Sequence, residues 1–269
     1  MMSSMRALAP SLLLSAGLSL AALPAHALVG GTATSNFAVV GEIGSASGVL
    51  IASDWVLTAA HVVSGLEDGA SFVSLLGNSV VDAVYLFSSE AYPGNDIALV
   101  HLSTALSGGY AVLNDTVILD SQVGTLGTLT AVSARNQQPN GYASTTAVEA
   151  TSHEQLGGGP TTVNWLITQG GTVQTGDSGS ALFSGQVTDS TGTVLLGIAS
   201  SLLTTDHNGA FSAYVQVAAY KDWIDTTLAT NGQQATWASA VPEPSLPALL
   251  IAGGLIAGLM ARRGQRATR

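Results

Sequence analysis

The chain of 269 residues contains no cysteine. This absence excludes disulfide bonds, a thiol nucleophile and a thiolate metal site. The fold must therefore be held together by packing alone. A chain of this length can bury enough surface for that, since 46% of its residues are hydrophobic.

Basic residues are also scarce, with seven Lys and Arg against 17 Asp and Glu. Most of the basic residues lie near the ends of the chain, and only Arg135 and Lys221 fall between residues 28 and 242. That stretch holds all of the acidic residues except Glu243, so it carries a net charge of −14 from two basic and 16 acidic side chains. We therefore expect no nucleic-acid partner for it.

The first 27 residues have the three parts of a secretory signal. Arg6 supplies the positive start, an apolar stretch covers residues 12–23, and Ala25-His26-Ala27 has the small-x-small form that signal peptidase accepts. A membrane anchor fits less well, because the apolar run is short. We predict a signal peptide over residues 1–27, cleavage by signal peptidase, and export to the periplasm, the cell surface or the medium.

Three short motifs carry the side chains of a possible nucleophilic site. His61 ends the stretch WVLTAAH, Asp96 lies in NDIALV, and Ser178 lies in TGDSGS. A serine hydroxyl is a weak nucleophile that needs a base, imidazole can take and return a proton near neutral pH, and a carboxylate can orient the imidazole. In these motifs and in the order His, Asp, Ser, the chain resembles the trypsin/chymotrypsin-type serine proteases.

The resemblance implies an all-β fold of two packed six-stranded antiparallel β-barrels with a C-terminal α-helix. Short runs rich in Val and Ile between Gly, Ser and Asn agree with strands, and residues 217–229 have helical spacing. The expected protease domain covers residues 28–229, with halves of about 28–110 and 111–229. Residues 230–240 are rich in Ala, Thr, Asn and Gln, and are predicted to be a linker.

The resemblance also assigns roles to the motif residues. It implies that His61, Asp96 and Ser178 are catalytic, with Asp96 holding the imidazole in its required tautomer. It further implies an oxyanion hole formed by the N–H groups of Gly176 and Ser178. No pair of histidines has metal-ligand spacing, so we predict neither a metal nor a cofactor.

The start of the mature chain gives an activation hypothesis. Leu28-Val29-Gly30-Gly31 resembles the N-terminus of activated family members, in which the new α-amino group pairs with the aspartate before the nucleophile, here Asp177. A buried carboxylate needs such a partner. If signal peptidase cuts after Ala27, Leu28 becomes that terminus without a separate propeptide. The alternative is an ordinary N-terminus at Leu28 with no effect on activity.

The resemblance places five residues in the substrate pocket: Thr172, Val173, Ser200, Leu202 and Ser212. Thr172, six residues before Ser178, matches the base of the pocket and is not an acid, so a preference for Lys or Arg is not expected. Leu202 and Ser212 would make the pocket shallow. We therefore predict cleavage after small or medium uncharged residues.

The last 29 residues, 241–269, resemble the PEP-CTERM sorting signal of Gram-negative bacteria. Val-Pro-Glu-Pro precedes an uncharged apolar stretch, residues 246–261, which is followed by four arginines. As a helix these residues would reach about 24 Å, a short transmembrane segment with the arginines on the cytoplasmic side. The resemblance implies transient anchoring in the inner membrane and removal by an exosortase-type enzyme. A plain C-terminal anchor is the alternative.

These observations predict an exported serine endopeptidase that hydrolyses protein or peptide substrates through an acyl-enzyme. Two other hypotheses stay open. One is a catalytically silent trypsin-like surface protein that acts as a binding module, and the other is an esterase that uses the same three residues.

Overall fold

The computed structural model describes residues 28–88, 94–135, 143–156, 163–205 and 209–240. The predicted signal peptide and sorting signal lie outside these residues. Within the ranges given, no helix is long and apolar enough to cross a membrane.

Most of the regular structure in these residues is β-strand. In chain order the strands are β1 (Thr32–Thr34), β2 (Val40–Ile43), β3 (Ala46–Ala52), β4 (Trp55–Thr58), β5 (Ser71–Ser74), β6 (Gly77–Leu86), β7 (Ala98–Leu102), β8 (Val112–Asn114), β9 (Thr128–Ser133), β10 (Ala143–Leu156), β11 (Val163–Gln169), β12 (Ala181–Phe183), β13 (Val194–Thr205), β14 (Gly209–Gln216) and β15 (Thr236–Ala238). The α-helices are α1 (Ala60–Val63), α2 (Asp120–Val123) and α3 (Lys221–Ala229), and a 3-10 turn, Val217–Tyr220, leads into α3.

The first half of the chain forms a closed antiparallel barrel in the order β2-β3-β4-β7-β6-β5. Every residue of β3 and β4 is buried. Both strands are continuous apolar runs interrupted only by small or hydroxyl residues, which is the pattern of a strand covered on both faces. We call this unit barrel 1.

The second half forms barrel 2. Strands β9, β10, β11, β14 and β13 pair in succession, and β12 pairs with both β13 and β9, so six antiparallel strands close on themselves. Its interior contains Leu129, Val148, Leu166, Leu182 and Tyr214.

One apolar cluster joins the two barrels and the C-terminal helix. It contains Val49 and Leu99 of barrel 1, Ile198 and Val215 of barrel 2, and Ile224 of α3. Burial of this shared surface fixes the barrels against one another, because separating them would expose it to water. The predicted fold, two six-stranded antiparallel barrels with a C-terminal helix, is confirmed.

Part of the segment that composition assigns to a linker, residues 230–240, is folded onto barrel 2. Strand β15 pairs with β8 in parallel, and β8 in turn pairs with β13. The indole of Trp237 donates a hydrogen bond to Asp225 (2.7 Å), and the Lys221 ammonium lies 3.8 Å from the centre of its ring. The polar composition of residues 230–240 does not predict this pairing, because the side-chain contacts come from a single residue, Trp237.

Candidate active site

Two neighbouring strands of barrel 1 bring His61 and Asp96 together. His61 lies in α1, which follows β4, and Asp96 lies two residues before β7. The β4–β7 ladder pairs Thr58 with Ala98, so the ends that carry these two side chains are adjacent. Ser178 lies in the loop before β12 of barrel 2, and this loop meets α1 where the barrels touch.

The three side chains form one continuous hydrogen-bonded chain. His61 Nδ1 lies 2.7 Å from Asp96 Oδ2, and His61 Nε2 lies 2.6 Å from Ser178 Oγ. A carboxylate can only accept, so Nδ1 carries the hydrogen of the neutral ring. Nε2 is then left to accept a hydrogen bond from the Ser178 hydroxyl.

Asp96 is fully buried and surrounded by donors. Its Oδ1 accepts the backbone N–H of His61 (2.9 Å), and its Oδ2 also accepts the Ser200 hydroxyl (2.6 Å). Burial raises the pKa of Asp96, but these hydrogen bonds and the charge of the His61 ring together lower it below its ordinary value. The carboxylate therefore stays ionised at neutral pH, as the orientation of the imidazole requires.

The hydroxyl of Ser200 reaches Asp96 because β13 is irregular at this point. The register of β13 against β14 shifts between Ala199 and Ser201, which is a β-bulge at Ser200. Bulges re-aim a side chain that would otherwise follow the alternation of the strand. Ser200, which the family resemblance matches to the serine beside the family's aspartate as well as placing it in the substrate pocket, thus contacts the buried carboxylate.

Two backbone N–H groups beside Ser178 are available to a ligand. In residues 174–180 the N–H groups of Asp177, Gly179 and Ser180 donate backbone hydrogen bonds of 2.8–3.0 Å. The N–H groups of Gly176 and of Ser178 itself have no acceptor among the described residues. These are the two donors that the sequence assigns to an oxyanion hole.

The oxyanion-hole hypothesis predicts that replacing Gly176 with alanine lowers kcat/KM for peptide hydrolysis by about 10²–10³-fold, the typical effect of losing one oxyanion donor. Gly176 has a φ of +93°, and a Cβ there would lie 2.7 Å from Arg135 Cδ and 3.0 Å from the Ser45 carbonyl. The loop must therefore shift and move the N–H group. Steady-state kinetics on a peptide substrate measures the loss.

Gly124→Ala is the matched control for this substitution. Gly124 has a φ of −65°, and a Cβ there meets no atom within 4 Å. We expect its kinetics to equal those of the wild type. A Gly176→Ala enzyme with more than half of the wild-type kcat/KM would contradict the assignment of this N–H group.

A buried polar bridge between the barrels holds the loop that carries Ser178. The Ser47 N–H of β3 donates to the Ser178 carbonyl (2.8 Å), and the Thr58 hydroxyl donates to the Ser47 carbonyl (2.7 Å). The Ser47 hydroxyl lies 3.1 Å from that of Ser133, which donates to Asp177 Oδ1 (2.8 Å). Sequence reasoning missed Ser47 and Ser133, because serine in a strand carries no signal of a partner in the other barrel.

Asp177 is fully buried, and its other oxygen accepts the Gln174 N–H (2.6 Å). Burial raises its pKa to about 6, although that N–H, the Ser133 hydroxyl and the charge of Arg135 act to lower it. No ion pair joins Asp177 to a cation among the described residues. Asp177 therefore lacks the direct ion pair that would bring its pKa back to the ordinary range.

Leu28, the predicted partner of Asp177, is also fully buried. Its carbonyl accepts the N–H of Gly31 (2.9 Å), and the next N–H, of Val29, donates to the Thr172 carbonyl (3.0 Å). In the full-length chain the Leu28 nitrogen is part of a peptide bond. Leu28 and Val29 are therefore held against barrel 2. The ion pair between the Leu28 amine and Asp177 stays a prediction.

The other residues assigned to the substrate pocket lie close to one another. Val173 N–H donates to the buried Ser212 hydroxyl (3.0 Å), and Ser212 is the cross-strand partner of Leu202. Leu202 is 42% exposed, so a bound ligand could cover it. Thr172 is partly exposed.

No group of three or more His, Cys, Asp or Glu side chains that could hold a metal ion occurs in the described part of the chain. The site as described therefore consists of the three side chains and the two N–H groups. This set can support nucleophilic attack by a hydroxyl and stabilise a developing oxyanion.

Two closed six-stranded barrels with a C-terminal helix define the chymotrypsin-like fold. The family model described as Trypsin matches residues 29–224, which is more than half of the chain. The chain therefore belongs to the trypsin family.

A solved structure with the same fold is that of the scabies mite inactivated protease paralogue S-I1. The match has a TM-score of 0.53 at 18% sequence identity and covers 72% of this chain and 95% of that one. At this identity the likeness shows the fold alone. No match to a curated protein was found.

Proposed function

We propose that the chain is an exported serine endopeptidase that hydrolyses peptide bonds through an acyl-enzyme. The observation that carries the proposal is the unbroken hydrogen-bonded chain from Asp96 through His61 to Ser178, with contacts of 2.7 and 2.6 Å. Distances in this range allow direct proton transfer between the hydroxyl and the ring.

In the proposed reaction Ser178 Oγ attacks the carbonyl carbon of the scissile bond. His61 Nε2 takes the hydroxyl proton as the new C–O bond forms, and the imidazolium is stabilised by the ionised Asp96. When the C–N bond breaks, the same proton passes to the leaving amine. A water molecule, deprotonated by His61, then attacks the ester carbon. The proton passes from His61 to Ser178 Oγ as the ester C–O bond breaks, which releases the acid product and restores the serine.

The charge that develops on the carbonyl oxygen needs fixed donors. The N–H groups of Gly176 and Ser178 donate to no acceptor among the described residues. The substrate oxygen can therefore accept both hydrogen bonds without breaking an existing contact. Preorganised donors of this kind stabilise the transition state more than the ground state.

Catalytic silence is the alternative that the comparison brings forward, because the mite protein of similar fold is an inactivated protease paralogue. The favourable distances among His61, Asp96 and Ser178 support the enzyme over the binding module. An esterase would use the same contacts, and only comparative kinetics on ester and amide substrates separates these two activities.

Reaction with a fluorophosphonate probe tests the proposal, because the probe modifies only an activated serine. We expect stoichiometric labelling of the body, residues 28–240, at Ser178, together with cleavage of internal peptide bonds in an unstructured protein. Absence of both labelling and cleavage would leave the silent binding module as the better hypothesis.

The proposed specificity is for a small or medium uncharged residue before the cut. It is supported by the exposed Leu202 opposite Ser212 and by the absence of an acid at Thr172. Peptides that differ only in this residue test it. Efficient cleavage after arginine, with alanine and valine ignored, would contradict it.

We also propose that both ends of the precursor are removed during export. The signal peptide over 1–27, the PEP-CTERM signal over 241–269 and the exosortase-type enzyme rest on the sequence motifs alone. The mass of the exported protein tests both cuts, and a mature chain that begins anywhere but Leu28 would remove the basis of the activation hypothesis.

The raised pKa of Asp177 predicts how this activation affects stability. In a body that keeps residues before Leu28, the folded pKa of about 6 exceeds the ordinary value of 3.8. The contribution of Asp177 to stability is then full below pH 3.8 and is lost as the pH rises through about 6. A body that begins at Leu28 can pair its amine with Asp177 and should be more stable above pH 6, by about 2–3 kcal/mol.

Urea unfolding of the two bodies between pH 4 and 7 measures this difference, with Ser178→Ala in both to prevent self-cleavage. Asp177→Asn is the control, since the pH-dependent difference should vanish with the carboxylate. Superimposable pH profiles for the two unmodified bodies would contradict the ion pair.

A further inference from the structure

Arg135 lies against the glycine of the proposed oxyanion hole. A Cβ at Gly176 would stand 2.7 Å from both Cδ and Nε of Arg135 and 3.0 Å from the carbonyl oxygen of Ser45. The guanidinium stem and the barrel 1 backbone thus pack on the same side of Gly176. Arg135 is partly exposed, so a ligand at this place can reach its charge.

Arg135 is one of only two Lys and Arg residues between positions 28 and 242. The other basic residue between positions 28 and 242, Lys221, forms an ion pair with Asp225 (3.4 Å) and stacks on Trp237 (3.8 Å). Among the described residues no carboxylate forms an ion pair with Arg135. Residues 28–242 carry a net charge of −14, so most of their surface repels carboxylates. The guanidinium of Arg135 is a place that attracts them.

The packing of residues 174–180 indicates which side of a bound substrate meets Arg135. Gly179 and Ser180 are hydrogen-bonded to Ala199 of β13. The resemblance to the trypsin family implies that the substrate residues before the cut pair with residues 200–202 of this strand. Gly176 packs instead on Arg135 and Ser45. Ser178 lies between these two contacts, so a chain that enters along β13 and passes the nucleophile leaves beside Arg135.

We propose that Arg135 selects substrates with an acidic side chain on the first or second residue after the scissile bond. This inference rests on the proposed peptidase function. The side-chain carboxylate pairs with the guanidinium, whose planar fork can form two parallel hydrogen bonds with it. Because the pair lies at a partly exposed position, its expected effect on kcat/KM is about two- to fivefold.

The test uses amidated peptides that share one acyl half and carry Glu or Gln at each of the two positions after the cut. For the wild-type body we expect the Glu peptides to have about two- to fivefold higher kcat/KM. Arg135→Gln should bring the Glu-to-Gln ratio to about one, and Arg135→Glu should invert it. Lys221→Gln, which removes the other basic charge, should keep the wild-type ratio.

The Glu-to-Gln ratio separates substrate selection by Arg135 from a structural role. A disturbed loop, or an altered protonation of Asp177, would lower kcat/KM equally for the Glu and the Gln peptides. An equal fall with both peptides would therefore overturn the proposal. A second pair of neutral peptides ends two residues after the cut, with either a free carboxylate or an amide. A preference confined to that free carboxylate would overturn the assignment to side chains.

The outcome for the wild type separates this proposal from the function on which it rests. A body that reacts with the fluorophosphonate and cleaves both peptides with a ratio of one is a peptidase without this selection, and only the inference fails. A body that neither reacts nor cleaves overturns both.

Discussion

Replacing Ser178 with alanine is expected to lower kcat for peptide hydrolysis by about 10⁵–10⁶-fold, the loss seen when a serine nucleophile of this kind is removed. The Ser178 hydroxyl lies 2.6 Å from His61 Nε2, the atom that would take its proton. Without this hydroxyl, the imidazole is left with water as the oxygen to activate. Residual hydrolysis should match what binding and the oxyanion donors alone provide.

Ser180→Ala is the matched control, because Ser180 lies in the same loop and carries the same functional group. Its hydroxyl is fully buried and has no hydrogen-bond partner in the described structure. Its removal should leave activity unchanged and stability equal or slightly higher, since an unpaired buried hydroxyl is unfavourable.

Initial rates on one peptide and labelling by the fluorophosphonate measure both variants. We expect no labelling of Ser178→Ala and full labelling of Ser180→Ala. Hydrolysis by Ser178→Ala within tenfold of the wild type would show that another group is the nucleophile. Loss in both variants would instead point to a folding defect of the loop.

The sequence allowed the contacts among His61, Asp96 and Ser178 to be predicted for a physical reason. Each residue sits in a motif whose neighbours also fix its surroundings, namely the strand before His61, the strand after Asp96 and the glycines around Ser178. Motif and order together therefore specify which side chains meet. The barrels could be predicted in the same way, since the strand runs repeat with turn residues between them.

Contacts between segments that are distant in sequence could not be predicted from local pattern. The place of Ser200 beside Asp96 is implied by the family resemblance, but nothing in the local pattern predicts the bulge that turns its side chain there. Ser133 reaches Asp177 because β9 pairs with β12, the strand that follows the loop of Asp177. The position of Arg135 over Gly176 is of the same kind. The scarcity of basic residues draws attention to Arg135, but the composition gives no indication of where its side chain lies.

Replacing Asp96 with asparagine is expected to lower kcat by about 10⁴-fold, although the side chain keeps its size. Asp96 accepts three hydrogen bonds: Oδ1 takes the His61 backbone N–H, and Oδ2 takes the His61 ring and the Ser200 hydroxyl. An amide offers one accepting oxygen, and its NH₂ group must oppose a donor whichever way it is turned. If the NH₂ faces the ring, Nδ1 has to accept and Nε2 carries the hydrogen, so Nε2 cannot take the proton of Ser178.

If the amide is turned the other way, its NH₂ faces the His61 backbone N–H in a buried place, which costs stability and displaces α1. Asp82→Asn is the matched control, because Asp82 contacts His101 at 2.6 Å in the same barrel without approaching Ser178. It should keep wild-type kinetics. Rates are measured over pH 5–9 together with urea unfolding, so that loss of fold is separated from loss of the tautomer. A folded Asp96→Asn enzyme with a kcat within tenfold of the wild type would show that the carboxylate charge is not needed. Proton transfer from Ser178 to His61 would then have to occur without it.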